Sequence, residues 1–407
     1  LDTLNARLIE TPPVRVHPGT YVVSRPDEAE GALDEDFEAV IAALVNARAP
    51  FHPVDPRHIP GLAPPTRGLP HRAVFLPAEG TVASPHLHRA YDEAFFRISE
   101  ITAIDDEVVA VRPSGDASRA TTLVDTASGR RLRTRHVVLA AGSHTQRLVD
   151  QLDLQAKIPR LVYGIGVALI LRSPVPLSEH VVRTPNRGVL GSFYSVPYGA
   201  PYGYVGATTT MRATAEPLPR ADAVHSLLHA AVQQLHRGLA GAVLHKTLVG
   251  YRPTTLDTHP LLGRTSIEGL WLATGTKRDG LHLSPLLAQE MTAAIGSGAQ
   301  PLCGQFAPER PLLLERSPRA AAIEHAAAQL LRADRARDQQ LPTGEEASNL
   351  DQLRAHLEAA YQDCGLAGTD HVIPVELLEL YCDGHAQDNL EVLLAHPPDE
   401  PDDDRAN

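Results

Sequence analysis

The sequence predicts an α/β (α+β) chain that joins a mixed-sheet domain to a second α/β layer and a helical C-terminal extension, and three observations carry that reading. Two apolar runs, Val137-Val138-Leu139-Ala140-Ala141-Gly142 and Gly269-Leu270-Trp271-Leu272-Ala273-Thr274-Gly275, stop at small residues, as buried strands do where their ends abut a ligand. Arg160 to Met211 holds several stretches rich in Val, Ile and Tyr, punctuated by Pro and Gly, the pattern of a largely antiparallel sheet. After Pro311 the composition shifts to Ala, Arg, Glu and Leu at helical spacing, which reads as a separate helical unit.

In chain order, Tyr21-Val22-Val23 after Gly19 reads as a strand, and Phe37 to Val45 carries apolar residues at helical spacing. A Pro-rich loop runs from Pro50 to Pro70. Ser84-Pro85 followed by HLHRAYDEAFF has the signature of an N-cap, a proline at the first helical position and an amphipathic helix. Val108–Val111, Ala120–Asp125 and Arg133–Ala140 form a meander, with Ser128-Gly129 turning between the last two. Ala221–Leu239 is an amphipathic helix, and Arg319–Arg337, Leu350–Asp363 and Val375–Tyr381 are the helices of the extension. From Pro397 an acidic stretch reads as a disordered tail. No internal repeat is visible.

Composition narrows the function classes. A chain of 407 residues holds two or three structural units at roughly 100–200 residues each. A hydrophobic share of 43% and a charged share of 21% are ordinary for a soluble protein, and no apolar run approaches the ~20 residues of a membrane span. The net charge of -12 argues against nucleic-acid or anionic-membrane partners, which need clustered Lys and Arg. Cys303, Cys364 and Cys382 are far apart in sequence without CxxC spacing, so no disulfide framework or thiolate zinc site is expected, and the cytoplasm fits best. His86 and His88, two apart on a helix, point in different directions and make a poor metal pair. The chain begins with Leu rather than Met, which suggests a true start further upstream.

Two segments carry chemistry. A strand ending in Ala140-Ala141-Gly142 lets backbone approach a nucleotide, although small residues also end many purely structural strands. The second segment is GYRPTTLDTHPLLGRTSIEGLWLATGTKRDGLHLSPLLAQEMTAAI, Gly250 to Ile295. Its order of Gly-x-Arg-Pro, then Asp, Pro and Gly, then a strand into Ala-Thr-Gly, then Gly-Leu and Ser-Pro resembles the glycine oxidase, sarcosine oxidase and D-amino acid oxidase family of flavoproteins. The Ala140-Ala141-Gly142 strand and the helix start Gly80-Thr81-Val82-Ala83-Ser84-Pro85 agree with that family's order.

The resemblance implies a Rossmann-like FAD-binding domain, incomplete at its N-terminus, from residues 76–160 and 245–310. It also implies a mixed-sheet substrate domain from 19–75 and 161–244, a linker over 1–18, and beyond them the helical extension 311–396 and the tail 397–407. Ala141, Gly142, Gly275, Asp279, Gly280, Leu281 and His282 fall where the family contacts the cofactor, with Ser284-Pro285 opening a helix whose free N–H groups face the flavin pyrimidine. No cysteine stands between His245 and Ile295, so FAD is expected to be non-covalent.

Arg252 matches the carboxylate-binding arginine, Tyr194 a tyrosine closing the pocket, and Arg278 a second arginine near its mouth. Read as residues alone, Arg252 is a bidentate carboxylate clamp or a surface ion pair, and Tyr194 lines the pocket or packs in a core. His282, between Leu281 and Leu283 on an apparently extended stretch, sits by the ring or bonds to backbone. Three positions depart from the family pattern: Asp279 stands for its Asn, His282 interrupts an aliphatic run, and His144 replaces an aromatic.

The family's opening Gly-x-Gly-x-x-Gly unit is absent from the 407 residues. About 60–80 residues of such a unit are expected to be truncated, carried on a separate chain, or lost. The implied activity is oxidation of an amino acid or secondary amine, Arg252 holding the substrate carboxylate while a hydride passes to flavin. Two alternatives stay open, a 2-hydroxy acid oxidoreductase and a non-catalytic accessory subunit on a degenerate flavoprotein fold.

Overall fold

A computed structural model describes residues 1–24, 35–62, 71–113, 122–154, 156–186, 192–298, 304–336 and 346–395. The acidic tail, Cys303, Arg337 and residues 63–70 of the Pro-rich loop lie outside them. Among the described residues nine strands form one mixed sheet. Its centre is Leu161–Arg172, buried at every position but the last. Such a continuous apolar run is what a strand covered on both faces requires. Along one side it pairs with Tyr202–Gly206 and then Thr210–Arg212, and along the other with Val243–Thr255 over its whole length. From Tyr202–Gly206 the sheet continues through Tyr194–Pro197, Val181–Arg183, His17–Ser24, Arg72–Thr81 and His52–Pro53. Among these pairings only Val181–Arg183 with His17–Ser24 is parallel.

Because side chains alternate along a strand, the two faces of Leu161–Arg172 carry different partners. Val167, Leu169 and Leu171 pack on Leu227, Ala230, Ala231 and Leu235. Those residues belong to a helix Ala221–Ala230 that continues as a π turn Ala231–Leu235 and a 3₁₀ turn Arg237–Gly241. The single helix to Leu239 that the sequence predicts is therefore broken after one-half of its length. On the opposite face Val162 joins Met211 and Leu256 in a core with the C-terminal extension.

A second, three-stranded sheet pairs Leu270–Thr274 with Leu261–Arg264 antiparallel and with Val137–Leu139 parallel. Two expectations fail here. The continuous strand Arg133–Ala140 divides: Arg131–Thr134 closes a separate meander with Val108–Pro113 and Thr122–Thr126, and only Val137–Leu139 enters the parallel pairing. That strand is not fully buried either, since Leu139 is covered while Val138 is 41% exposed and Ala140 and Ala141 are exposed. The physical reason is position: among the described residues Val137–Leu139 has a partner on one side alone.

The extension comprises helices Arg319–Ala336, Glu346–Asp363, Leu378–Cys382 and Gln387–Ala395. Arg319 lies 3.6 Å over the Tyr361 ring and donates to the carbonyls of Leu366, Thr369 and His371. Cys364 and Cys382, distant in sequence, are free thiols that hydrogen-bond each other, and burial pushes Cys364 up to about 11. The buried carboxylate of Asp257, the Asp of the motif segment, accepts from Arg310 at 2.5 Å and from the amide of Leu313 at 3.0 Å. This joins the end of Val243–Thr255 to the start of the extension. At the other end of the chain Glu93 accepts the amides of Ile9, Glu10 and Thr11 at 2.7–3.0 Å.

Two outcomes follow. Asp257→Asn leaves Arg310, 7% exposed at its side chain, without a counter-charge, and denaturant unfolding should lose about 3–5 kcal/mol, with much of it restored when Arg310 is also made apolar. The amides bonded to Glu93, Glu10 first, hold its carboxyl well below the usual carboxylate range. Its tether is therefore intact above that range and is lost as pH falls through the lowered value. Amide exchange at Ile9–Thr11 should stay slow through the ordinary carboxylate range and become fast at all pH in Glu93→Ala.

Candidate functional site

The site begins at Arg252, opposite Gly164 in the pairing of the two long strands. Its guanidinium lies over Gly166, where an added Cβ would stand 2.5–2.7 Å from Nη1, Nη2 and Cζ. A glycine inside an otherwise apolar strand marks a close approach of another group, and here the group is this guanidinium. Arg252 donates to the carbonyl of Thr208 at 3.0 Å and to Thr209 Oγ1 at 3.3 Å. Arg278 arrives from the loop after Leu270–Thr274 and donates to the same Thr209 hydroxyl. That loop is fixed by Lys277, whose amide bonds the carbonyl of Pro253 at 2.8 Å and whose φ is 51°.

Two cations therefore share one neutral hydroxyl, and among the described residues no carboxylate pairs with either. Burial and then the neighbouring Arg278 lower the Arg252 guanidinium from its ordinary value. A desolvated, fork-shaped cation without a counter-charge is a site for a carboxylate. Tyr194 and Tyr204 wall this space, their rings stacked at 5.9 Å and 11°. Gly206 makes room for the Tyr204 ring, since a Cβ there would lie 2.8 Å from it. Burial, then Tyr194, push the Tyr204 hydroxyl well up, so it stays a neutral donor. The structure thus brings Arg252, Arg278 and Tyr194 together. Tyr204, Thr209 and Gly166 belong with them, although the sequence reading passed over all three.

The residues expected around a flavin are less uniformly gathered. Thr274 Oγ1 donates to the carbonyl of Gly142 at 3.1 Å, tying the ends of the parallel pair beside Ala141 and Gly275. Gly142 (φ 59°) and Gly275 (φ 75°) both use the left-handed region, and nothing lies within 4 Å of a Cβ placed on Gly142. The buried hydroxyls of Ser143 and Thr145, just beyond, have no hydrogen-bond partner among the described residues.

The helix, however, runs Gly280–Ser297 with Asp279 at its N-cap position, so Ser284-Pro285 lies inside it instead of opening it. Pro285 has no N–H for the carbonyl four residues back, and Ser284 Oγ bonds that Leu281 carbonyl at 2.8 Å in its place. Leu281 and His282 are accordingly helical, not extended, and face solvent: Leu281 is 50% exposed, and His282 stands 4.0 Å from the exposed Asp279 carboxylate. His144 packs edge-on against Tyr163 and Tyr251, at 5.6 and 5.8 Å. Among the described residues no group of three or more His, Cys, Asp or Glu side chains is placed to hold a metal, and no helix is long and apolar enough to cross a membrane.

The family model for FAD dependent oxidoreductases matches residues 2–294. The chain belongs to the FAD dependent oxidoreductase family. A glycine oxidase of Pseudomonas putida is 27% identical over 296 residues, covering 72% of this chain and 74% of that protein. The solved glycine oxidase of Geobacillus kaustophilus superposes with a TM-score of 0.61 at 25% identity, over 76% of this chain and 79% of its own. An iminodiacetate oxidase from Chelativorans sp. BNC1, at 20% identity and a TM-score of 0.60 over 75% of this chain and 79% of its own, shares the fold. As a member of this FAD dependent oxidoreductase family the protein is an enzyme of the amino-acid and amine oxidase kind. The family match ends at residue 294, leaving the helical extension outside it.

One substitution separates the role of Gly166 from fold stability. Its φ is not in the left-handed region, and the group a Cβ would meet is the far end of a flexible side chain. Gly166→Ala should leave thermal unfolding nearly unchanged while displacing Arg252 and weakening carboxylate binding by at least tenfold, read by titration with a small carboxylate.

Proposed function

We propose that the protein oxidises the C–N bond of a small amino acid or secondary amine that carries a carboxylate, giving an imine that hydrolyses. The observation that supports this is the convergence of Arg252 and Arg278 on Thr209 without an acidic partner among the described residues. In this reading Arg252 takes the carboxylate in a fork and fixes the substrate α-carbon. Arg278, exposed at the mouth, attracts the anion and completes its neutralisation. Tyr194 and Tyr204 exclude water from one side, Tyr204 offering a neutral hydroxyl. No side-chain base is needed.

Non-covalent FAD fits part of this structure. Ala141, Gly142, Gly275 and Gly280 offer small-residue backbone, and the buried Ser143 and Thr145 offer hydroxyls unpartnered among the described residues, to one end of the cofactor. When bound, FAD supplies the two-electron acceptor of the oxidation. The pyrophosphate and ribose have no Gly-x-Gly-x-x-Gly among the 407 residues. A separate segment bearing that motif would fit the open edge of Val137–Leu139, where Val138 is exposed. The same missing motif favours a second reading, an accessory subunit without flavin. A hydroxy acid would satisfy Arg252 as well as an amino acid does.

The test is the visible spectrum of the purified chain with added FAD, alone and co-produced with a Gly-x-Gly-x-x-Gly segment, followed by turnover assays on amino acids, secondary amines and 2-hydroxy acids. Flavin bands near ~450 nm with amine turnover support the oxidase; no bound flavin in any form leaves the accessory reading. In a flavin-loaded enzyme Arg252→Ala should raise KM and lower kcat/KM by about 2–4 kcal/mol with flavin content unchanged. Unchanged kinetics would remove Arg252 from the pocket.

A further inference from the structure

We propose that the helical extension positions the two-arginine pocket, and that Glu376 is a positioning residue that sets Arg278 through Lys277. This rests on the reading of that pocket as a carboxylate site.

One short stretch of the extension, residues 376–381, contacts all three segments that build the pocket. Glu376 pairs with Lys277, next to Arg278. Glu379 pairs at 2.8 Å with Arg212, on the strand that begins just after Thr209. The Tyr381 hydroxyl donates at 2.9 Å to the carbonyl of Leu256, at the end of the strand that carries Arg252. These contacts fall on the right side of the sheet. In the register of the long strands Arg252 faces Gly164, which also pairs with Met211. Side chains two apart share a face, so Arg252, Leu256, Val162 and Met211 lie on one surface, and the last three are packed against the extension.

The Glu376 contact is the most specific of the three. Lys277 holds a left-handed φ of 51° without being glycine, a conformation that needs outside support. The Lys277 and Glu376 side chains are only 27% and 17% exposed, so the pair is poorly screened and holds its loop in one place. Arg278 is the next residue, and its bond to Thr209 brings it beside Arg252.

Simple electrostatics gives the opposite sign to positioning, which makes the idea testable. Removing Glu376 deletes a negative charge near the pocket and by charge alone would tighten anion binding. Positioning instead requires that binding weaken. The experiment measures acetate binding to the full chain by NMR titration, with acetamide as the uncharged control and thermal unfolding recorded for every variant. Glu376→Gln should weaken acetate roughly tenfold, within the range of ordinary coupling between sites. The swapped pair Lys277→Glu/Glu376→Lys should recover most of it, and Glu324→Gln, which breaks only the outer contact with Arg354, should change nothing.

Acetate binding that is lost in Arg252→Ala but unchanged or tighter in Glu376→Gln would overturn the positioning role and leave the pocket standing. Weakening that the swapped pair does not recover at all would overturn it too. Wild-type protein that binds acetate no better than acetamide would remove the pocket, and the positioning role with it.

Discussion

The antiparallel pairing of Leu161–Arg172 with Val243–Thr255 is the constraint on which the remaining structure depends. It runs from Leu161 opposite Thr255 to Arg172 opposite Val243, with one irregularity between Leu244 and Lys246. In this register Arg252 meets Gly164 and reaches over Gly166. A slip by one residue would turn every side chain to the other face, sending Arg252 toward the helix Ala221–Ala230 and Tyr251 into the pocket. The register is held by burial: each Val, Leu or Ile covered along Leu161–Arg172 contributes about 1.5–3 kcal/mol, and both faces are covered. The position of Arg252 is thus set by a strand buried at all but its last residue.

That placement has an energetic cost, because it desolvates a guanidinium and sets a second cation beside it. Thr209 and the Thr208 carbonyl satisfy some donors but neutralise no charge. A buried charge without a partner is among the more expensive features a fold can hold. Under the proposed function that deficit is what a ligand carboxylate would make good and a neutral ligand would not. The contrast with Asp257 and Arg310 is instructive, for that pair is more deeply buried and closed, charge against charge, with the Leu313 amide completing it. The Asp257–Arg310 pair is internally satisfied and joins two units of structure, whereas Arg252 and Arg278 have no carboxylate partner among the described residues.

How much of this was legible in the sequence depended on whether the signal was local. Arg252, Arg278 and the strand Leu270–Thr274 lie in one continuous motif, so order and spacing located them. Tyr204 and Thr209 reach the pocket from a neighbouring strand and the turn after it, and nothing in their own flanks distinguishes them. Gly164 and Gly166 did carry a signal, two glycines inside an apolar strand, but what approached them was visible only in three dimensions. The misplaced helix start at Ser284-Pro285 has a different cause. Proline is favoured at a helix start, and the rule does not register that Ser284 can satisfy the Leu281 carbonyl and allow proline within the helix. Val138 was read as buried because the run around it is apolar, yet burial depends on the number of neighbouring strands.

The two halves of the site are unequally supported, and the asymmetry has a physical meaning. On the arginine side the sheet, the Lys277 loop and the extension interlock through Glu376, Glu379 and Tyr381, and the Lys277–Glu376 contact spans 99 residues of sequence. The Tyr381 contact is buried, the Lys277–Glu376 pair is partly covered and Glu379 is exposed, and contacts of such long range form only once the units have folded together. On the other side Val137–Leu139 has, among the described residues, no strand partner on one flank, and Leu281 and Leu286 of the helix Gly280–Ser297 are 50% and 54% exposed. An unpaired strand edge and exposed leucines are both features that proteins ordinarily cover. The extension packs on the face that carries Arg252, through Val162, Met211 and Leu256, so it supports the part of the fold where the two arginines meet. Under the proposed function the two tasks therefore rest on different parts of the fold, the carboxylate on the long strands that carry Arg252 and the flavin on the small parallel sheet.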